Sequence, residues 1–331
     1  MNQAHIQRPQ YNILTSSDNN LVPAMAVSLV AMAKNLAHAH VDFYLLHSQI
    51  LPEHIRMLSA LCNGFGNIML HEIRVPDPEA YDPLVQAGRW YRETYYPLCA
   101  HLLLPDSIDR ILYLDAGDTL VVGDIEPYYH CDFEDQFLVV TPQRYKLQNG
   151  IPVPYEPDDI TDQENMLPDI LEGLFNSGSY MINLRKMREA GINIAWYCYL
   201  TEQLRKARTG KKDQNPVYFG DQGLLSVAFV GHLKYYGYPE IKDRWYNPYN
   251  FCIGYYDQVD QKPDYEPAIL HFAGVPFKPW KAVYPVFPER FARVGGETRE
   301  LSELKPQQLE YYFLWLEYLF LTDKVLSILG Y

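Results

Sequence analysis

The sequence has few cysteines, little positive charge and no long apolar segment. Its five cysteines are an odd number, and no two are close enough to form a C-x-x-C pair. This pattern argues against a disulfide framework or a zinc site, and it predicts reduced, mostly buried thiols in a cytosolic protein. A net charge of -13 argues against a broad nucleic-acid surface, although a local basic pocket for a phosphate is compatible with it.

The longest apolar-leaning run, residues 21–33, contains a proline and a serine and ends at a lysine. It is too short to span a bilayer, which needs about 20 residues. The first ten residues are polar, so we expect a flexible N-terminus and no signal peptide. We therefore expect a cytoplasmic protein, and a peripheral membrane contact stays open as an alternative.

Strand-like and helix-like segments alternate over the first 115 residues. Apolar runs predict strands at 11–14, 41–47, 67–73 and 110–115, and periodic segments predict helices at 22–36, 51–65 and 97–105. The alternation predicts an α/β fold with a mostly parallel sheet flanked by helices. Ligands bind at the carboxyl ends of such strands. The loops at 15–20 and 115–119 are therefore expected to share one site.

The second half of the chain is less regular. Residues 141–173 are polar and predict a loop, residues 173–191 predict a strand and a helix, and residues 220–231 predict a helix. A further strand is expected to end at His271, and the tail at 301–331 to form two helices. We expect a main domain at 11–290 and a C-terminal helical extension at 291–331.

The segment RILYLDAGDTLVVGDI places two acids, Asp115 and Asp118, directly after a buried strand. With Thr119 four residues after Asp115, it resembles the opening motif of haloacid-dehalogenase-type phosphatases, where Asp115 would be the nucleophile. Position 117 is glycine, however, where that family has its second aspartate, and a long α/β pattern precedes the motif. Two alternatives remain for Asp115 and Asp118. They could bind a metal and a nucleotide diphosphate, or they could lie in a turn as two solvated carboxylates.

Five segments in order resemble the family 8 glycosyltransferases, which are retaining, nucleotide-sugar-dependent enzymes of the glycogenin and bacterial lipopolysaccharide galactosyltransferase type. The segments are ILTSSDNNLVPAMAVS, RILYLDAGDTLVVGDI, LFNSGSYMINL, GDQGLLS and LHFAGVPFKPW. Each is weak alone, but the five in this order are specific. The resemblance covers residues 11–285 and implies a GT-A-type nucleotide-binding fold for the main domain.

The resemblance also implies roles for individual residues. Asp115, Asp118 and His271 would bind Mn²⁺ or Mg²⁺, for which carboxylate and imidazole ligands are suitable. Asp221 and Gln222 would lie beneath the donor sugar as catalytic residues. Contacts to the nucleotide sugar would come from Asp18, Asn20, Asn176, Ser177, Gly274 and Lys278.

The acidic motif differs from the family pattern. It reads Asp-Ala-Gly-Asp instead of Asp-x-Asp, and in an extended strand positions i and i+3 point in opposite directions. Asp118 can therefore reach a metal only if Gly117 lets the backbone bulge, which we expect because glycine permits it.

The basic residues differ as well. Pro97 stands where the family often has the arginine of Tyr-x-Arg-Leu, and Arg89 or Arg92 would have to supply that charge. Lys278 follows His271 by seven residues, one more than is usual in the family.

Several structural alternatives stay open. Asp18 could cap the following helix instead of contacting a nucleotide. The aromatic residues around Trp245 could stack on an acceptor sugar or belong to the core, and the tail could serve an oligomer contact or a membrane surface.

The resemblance implies transfer of a hexose, from UDP-glucose or UDP-galactose, to a sugar hydroxyl, with a cell-surface polysaccharide or lipopolysaccharide as the expected acceptor. Its partners would be a nucleotide-sugar donor and a saccharide acceptor, with no nucleic acid. Besides the phosphatase, the alternative is a protein of the same fold that binds a nucleotide sugar without turnover.

Overall fold

The fold was analysed in a computed structural model, which describes residues 8–85, 91–141, 145–148, 151–154, 175–206, 220–237, 247–254, 266–283 and 300–331. Arg89 and Trp245, both predicted to contact substrate, lie outside these ranges, as do residues 1–7 of the expected N-terminal segment.

The first part of the chain alternates strands and helices, as its apolar pattern predicts. Its elements are β1 (Gln10–Ser16), α1 (Val22–Asn35), β2 (His40–His47), α2 (Pro52–Phe65), β3 (Ile68–Arg74), α3 (Ala100–Leu103) and β4 (Arg110–Leu114). Strand β1 pairs in parallel with β2 and β4, and β2 pairs in parallel with β3. The loops after these strands therefore lie at one edge of the sheet.

The later strands that the structure describes have at most five residues. The later elements are β5 (Thr119–Val121), α4 (Glu126–Tyr129), β6 (Leu138–Val140), β7 (Tyr145–Gln148), β8 (Ile151–Pro154), β9 (Ser179–Asn183), α5 (Leu184–Glu189), α6 (Ile194–Lys206), α7 (Gly220–Ala228), β10 (Leu233–Tyr235), β11 (Phe251–Cys252), β12 (Ile269–His271), α8 (Pro279–Val283) and α9 (Pro306–Leu329). Within the described ranges there are also four 3₁₀ helices, Asn19–Leu21, Pro78–Leu84, Arg92–Cys99 and Leu301–Glu303.

The main sheet has seven strands in the order β10-β6-β9-β4-β1-β2-β3. Strand β9 runs antiparallel to both of its neighbours, β4 and β6, so the sheet is mixed and mostly parallel. Two clusters of buried apolar residues are packed on this sheet. This is the α/β architecture that the strand and helix alternation predicts.

A second, three-stranded sheet has the order β11-β12-β5. Strand β12 pairs antiparallel with β5 and in parallel with β11, and its register places His271 opposite Thr119. Because β5 begins directly after the acidic turn, this small sheet brings His271 back to Asp115 and Asp118.

Three predictions of secondary structure require correction. The tail forms one α-helix of 24 residues, α9, preceded by a 3₁₀ turn, instead of two helices. Its only proline, Pro306, lies in the first turn of the helix, where proline is tolerated, so it does not interrupt α9. The predicted helix at 97–105 is a 3₁₀ helix, Arg92–Cys99, that continues into the short α3. Within the predicted loop at 141–173, β7 and β8 form an antiparallel hairpin.

Helix α9 packs against α1 and α2 and is part of the main core. Its Tyr318 hydroxyl accepts a hydrogen bond of 2.7 Å from Asn35 Nδ2 at the end of α1. None of the helices in the described part of the chain combines the length and apolarity that a bilayer crossing requires.

Candidate active site

The two acids after β4 lie in a tight turn. The backbone N–H of Asp115 donates to Gly178 O at 3.0 Å, and Thr119 Oγ1 donates to the Asp115 carbonyl at 2.9 Å. Gly117 has a φ of +72°, and a Cβ there would lie 2.7 Å from Ala24 Cβ, so a larger residue would be strained in the turn and would clash with α1. The expected bulge is thus a turn, and it directs Asp118 to the same side as Asp115.

Asp115, Asp118 and His271 form a compact group. Their ligand atoms all lie within 4.8 Å of one another, and they are the only group of this kind among the described residues. His271 Nε2 lies 3.7 Å from Asp115 Oδ2. A divalent ion at about 2.1 Å from each ligand needs ligand separations of roughly 3–4 Å. Small side-chain rotations would therefore close these three groups around such an ion.

The protonation state of His271 suits metal binding. Its Nδ1 lies 3.0 Å from Asn250 Oδ1, and because an amide oxygen only accepts hydrogen bonds, Nδ1 carries the proton and Nε2 is left as the ligand atom. Burial of the ring, assisted by the charge of Lys278, lowers the pKa of His271 to about 3. The imidazole is therefore neutral at physiological pH.

Burial and mutual repulsion raise the pKa values of two carboxyl groups of the site. Burial, together with the charge of Asp118, raises the pKa of Asp115 to about 7, although the Tyr113 hydroxyl opposes the shift with a 2.8 Å hydrogen bond. Burial and the charge of Asp115 raise the pKa of Asp221 to about 8. A cation bound at Asp115 and Asp118 would relieve this repulsion.

Lys278 places a positive charge beside Asp118, and its predicted contact with a diphosphate stays a prediction. Its Nζ lies 2.5 Å from Asp118 Oδ2 and donates to Phe272 O at 2.7 Å. The loop between His271 and Lys278 turns at Gly274, which has a φ of +66° and packs closely on Gly254. The loop, seven residues from His271 to Lys278, brings the lysine to Asp118.

Asn176 and Ser177 lie just before β9, and both are buried. Gly178, the next residue, has no room for a side chain, because a Cβ there would lie 2.1 Å from His271 Cε1. The backbone N–H of Ser177 donates to Gln222 Oε1 at 3.2 Å, which connects this turn to the first turn of α7. The structure therefore brings four predicted residues close to the group of Asp115, Asp118 and His271. They are Asn176, Ser177, Asp221 and Gln222.

Asp18 acts as a cap for the 3₁₀ helix Asn19–Leu21. Its Oδ1 accepts from the backbone N–H groups of Asn20, at 2.9 Å, and Leu21, at 3.1 Å. The Asn20 side-chain amide donates to Asp18 Oδ2 at 2.8 Å. The capping alternative is therefore observed. Contact with a nucleotide remains a prediction, supported by the position of both residues after β1, which pairs with β4.

Two predicted roles find less support. Arg92 Nη2 lies 2.5 Å from Asp82 Oδ1, so this guanidinium is held in an ion pair with the preceding 3₁₀ helix. Of the aromatic residues near Trp245, Tyr249 stacks on Tyr128 and Phe251 is buried, so both belong to the core.

Asn250 is a site residue that the sequence analysis missed. It lies among aromatic residues in a segment without regular periodicity, and its contact with His271 depends on the pairing of β11 with β12. No local pattern in the sequence signals that contact.

Comparison with known proteins identifies the family. Residues 12–283 match the model of glycosyl transferase family 8. The lipopolysaccharide 1,2-glucosyltransferase of Escherichia coli K12 is 24% identical over 286 residues, which cover 83% of this chain and 74% of the relative. The lipopolysaccharide 1,3-galactosyltransferase of Salmonella typhimurium LT2 is 23% identical over 85% of this chain and 77% of its own. A second lipopolysaccharide 1,2-glucosyltransferase of Escherichia coli is 22% identical over 231 residues, which are 69% of this chain and 61% of the relative.

Solved structures show the same fold. The galactosyltransferase LgtC, in complex with donor and acceptor sugar analogues, matches with a TM-score of 0.61 at 20% identity, over 91% of this chain and 99% of its own. The glycosyltransferase GlyE of Streptococcus pneumoniae matches with a TM-score of 0.59 at 18% identity, over 96% and 62% of the two chains. The fold is thus the GT-A nucleotide-binding fold, and the phosphatase alternative has no support. This chain belongs to glycosyl transferase family 8 and is a glycosyltransferase.

Proposed function

We propose that this chain transfers a hexose from a UDP-sugar, UDP-glucose or UDP-galactose, to a saccharide hydroxyl, with retention of configuration and with bound Mn²⁺ or Mg²⁺. The observation that carries this proposal is the convergence of Asp115, Asp118 and His271, with Lys278 in contact with the same group. The site lies at the edge of the sheet where parallel strands end, which is where nucleotides bind in such folds.

The ligand set favours a hard divalent ion. Two carboxylates and one neutral imidazole suit Mn²⁺, which accepts oxygen and nitrogen ligands. When bound, such an ion would neutralise charge on the leaving diphosphate. Lys278 would add a second positive charge at the phosphates, in a position fixed by its contacts with Asp118 and Phe272 O.

Retention is supported by the residue types at the sugar side. In same-face transfer the departing diphosphate lies next to the attacking hydroxyl, so no strong protein base is required. Asp221 and Gln222, at the start of α7, would then stabilise positive charge on the sugar from beneath. Because Asp115 is one cause of the raised pKa of Asp221, neutralising Asp115 would also favour the Asp221 anion.

The acceptor is proposed from the relatives. Those named above are lipopolysaccharide glucosyltransferases and a galactosyltransferase, and we infer a cell-surface polysaccharide or lipopolysaccharide saccharide as acceptor here. The cysteines of the chain are free, which supports the expected cytoplasmic location. Peripheral membrane contact and a homo-oligomer remain proposals for the surface of α9, where Phe313 and Phe320 are exposed.

Calorimetric titration of UDP tests the metal and nucleotide site. We expect binding in Mn²⁺ and at least tenfold weaker binding in EDTA, with the same loss for Asp115→Asn. Asp106→Asn is the matched control, because that carboxylate is almost fully exposed at the surface. Equal UDP affinity with and without metal would contradict the proposed site.

Turnover separates the enzyme from a protein that only binds the nucleotide sugar. UDP release from a panel of UDP-sugars, first to water and then to saccharide acceptors, would identify the donor. The anomeric configuration of the product, read by NMR, would test retention. Metal-dependent UDP binding without turnover of any donor would favour the non-catalytic alternative.

A further inference from the structure

One buried amide, that of Asn250, connects the candidate metal group with the turn predicted to contact the donor sugar. Asn250 is 1% exposed and lies directly before β11. Its two amide atoms face different partners. Oδ1 faces His271, and Nδ2 faces Asn176 and Thr141. Because the Asn176 backbone carbonyl can only accept a hydrogen bond, the Asn250 nitrogen must face it, and the Asn250 oxygen is left to face His271.

On the metal side, Asn250 determines which ring nitrogen of His271 is protonated. The 3.0 Å contact between Nδ1 and Asn250 Oδ1 requires a proton on Nδ1. Without this acceptor the proton could move to Nε2, which is the atom that lies 3.7 Å from Asp115 Oδ2 and completes the metal group. Protonated Nε2 has no lone pair for a metal.

On the sugar side, the same amide fixes Asn176. Asn250 Nδ2 lies 3.0 Å from Asn176 Oδ1 and 3.2 Å from its backbone carbonyl. Asn176 Oδ1 also accepts the backbone N–H of Gly178 at 3.0 Å. The Asn176 oxygen is therefore engaged within the protein, and the side chain is held by partners on both sides.

We propose that Asn250 is a positioning residue that holds the metal and donor-sugar parts of the site in register: it sets the His271 tautomer through Oδ1 and orients Asn176 through Nδ2. The inference rests on the proposed function for the identity of the two ligands. It predicts that the two effects can be separated by substitution, because they use different atoms of one amide.

Two variants make this separation. Asn250→Leu has nearly the same shape but removes both the acceptor and the donor. Asn250→Asp keeps an acceptor for His271 Nδ1 and replaces the donor facing Asn176 by a carboxylate oxygen. We expect Asn250→Leu to impair both functions and Asn250→Asp to impair only the sugar side.

The His271 tautomer is measured first, in metal-free protein with ¹⁵N-labelled histidine, by long-range ¹H–¹⁵N correlation NMR. The signal of His271 is identified by its absence in His271→Gln. We expect protonation on Nδ1 in the wild type and in Asn250→Asp, and a shift toward Nε2 in Asn250→Leu. This readout requires neither metal nor donor.

Mn²⁺ affinity is measured next, by electron paramagnetic resonance of the free ion. Loss of a ligand-orienting partner typically weakens metal binding by about 10–100-fold. We expect that loss for Asn250→Leu, whereas Asn250→Asp should bind Mn²⁺ at least as tightly as the wild type and lose turnover of the donor sugar.

The matched control is Asn247→Ala, in the same segment. Asn247 Oδ1 caps a turn by accepting the Tyr249 N–H at 3.0 Å, so its loss loosens the segment without removing an atom that faces His271. Equal loss of Mn²⁺ affinity in Asn247→Ala and Asn250→Leu would overturn the inference, as would an unchanged tautomer in a folded Asn250→Leu. If Asn250→Leu does not fold, loss of Mn²⁺ affinity in Asn250→Asp would overturn it.

The two proposals fail in different ways. A wild-type protein that does not bind Mn²⁺ would refute the proposed metal-dependent function, while the tautomer measurement would still decide the role of Asn250. Metal binding that is unaffected in both Asn250 variants would refute only the role of Asn250.

Discussion

Lys278 Nζ lies 2.5 Å from Asp118 Oδ2, so an ammonium group already neutralises one carboxylate of the candidate metal group. A metal ion and Lys278 would therefore compete for Asp118 until a diphosphate offers the lysine another anionic partner. With both ligands bound as proposed, this one side chain would couple metal binding to nucleotide binding.

Replacement of Lys278 by methionine should separate these two effects. We expect Lys278→Met to bind Mn²⁺ without loss in the absence of nucleotide, because the competing cation is gone, and to bind UDP about 10–100-fold more weakly, because a charge-assisted contact worth about 1.5–3 kcal/mol is lost. Titration calorimetry measures both affinities. Lys281→Met, one turn further in α8, is the control. Unchanged UDP affinity would remove Lys278 from the diphosphate site.

Metal affinity should depend on pH near neutrality. Burial and Asp118 raise the pKa of Asp115 to about 7, and a protonated carboxyl group does not bind a metal. We expect Mn²⁺ affinity to fall by up to about tenfold for each pH unit below 7. Affinities between pH 5.5 and 8 test this. An affinity that is flat over the range would mean that Asp115 is ionised throughout or is not a ligand.

The same acids should make the metal-free protein less stable as pH rises. The pKa values of Asp115 and Asp221 are raised to about 7 and 8 from an ordinary 3.8, so between pH 4 and 8 the folded state holds more protons than the unfolded state. Stability contributed by these groups is therefore lost as pH rises through that window. Thermal melts should show a larger Mn²⁺-induced stabilisation at pH 8 than at pH 6, and Asp115→Asn should abolish the difference. Equal Mn²⁺-induced stabilisation of the wild type at pH 6 and pH 8 would contradict the raised pKa values of these acids.

A single methyl group at Gly178 should displace the imidazole of His271. A Cβ there would lie 2.1 Å from His271 Cε1, and overpacking of this kind costs about 1–3 kcal/mol. We expect Gly178→Ala to melt at lower temperature and to bind Mn²⁺ at least tenfold more weakly.

Gly64→Ala, at the end of α2, is the control for Gly178→Ala. A Cβ at Gly64 would make an ordinary contact with Leu329 at 3.6 Å. This variant should keep both stability and metal affinity. A Gly178→Ala protein with wild-type Mn²⁺ affinity would show that the His271 ring position is not critical.

Removal of the Tyr312 hydroxyl should loosen the loop that carries Lys278. This hydroxyl on α9 donates to the carbonyl of Phe277, the residue before Lys278. We expect Tyr312→Phe to lose about 1 kcal/mol of stability and to bind UDP several-fold more weakly. Tyr318→Phe is the matched control, because its hydroxyl on the same helix bonds to Asn35 instead. It should lose similar stability and keep its UDP affinity.

Much of the fold and of the candidate site could be predicted because the signals are local. The periods of the apolar residues indicate strands β1 to β4, and acids at the end of a buried strand indicate a site. The contact of Asp115 with His271 crosses more than 150 positions, and it was expected only because five segments resemble a family in order.

Other features depend on tertiary packing. Asn250 contacts His271 only once β11 and β12 pair, and the Gly117 turn is shaped by its packing on α1 as well as by its own sequence. The tail, expected to form two helices, continues as the single helix α9, in which the Thr322 hydroxyl donates to Tyr318 O at 2.7 Å. No local pattern in the sequence signals the Asn250 contact or the continuity of α9.

Helix α9 has a consequence for how the chain can be divided. The family match ends at residue 283, and a fragment cut there would retain Asp115, Asp118, His271 and Lys278. It would lose the helix that covers α1 and α2 and the tyrosine that holds the Phe277 carbonyl. The stretch that the family model matches is therefore shorter than the stretch that packs together, and a truncation at its end would remove contacts that support the candidate active site.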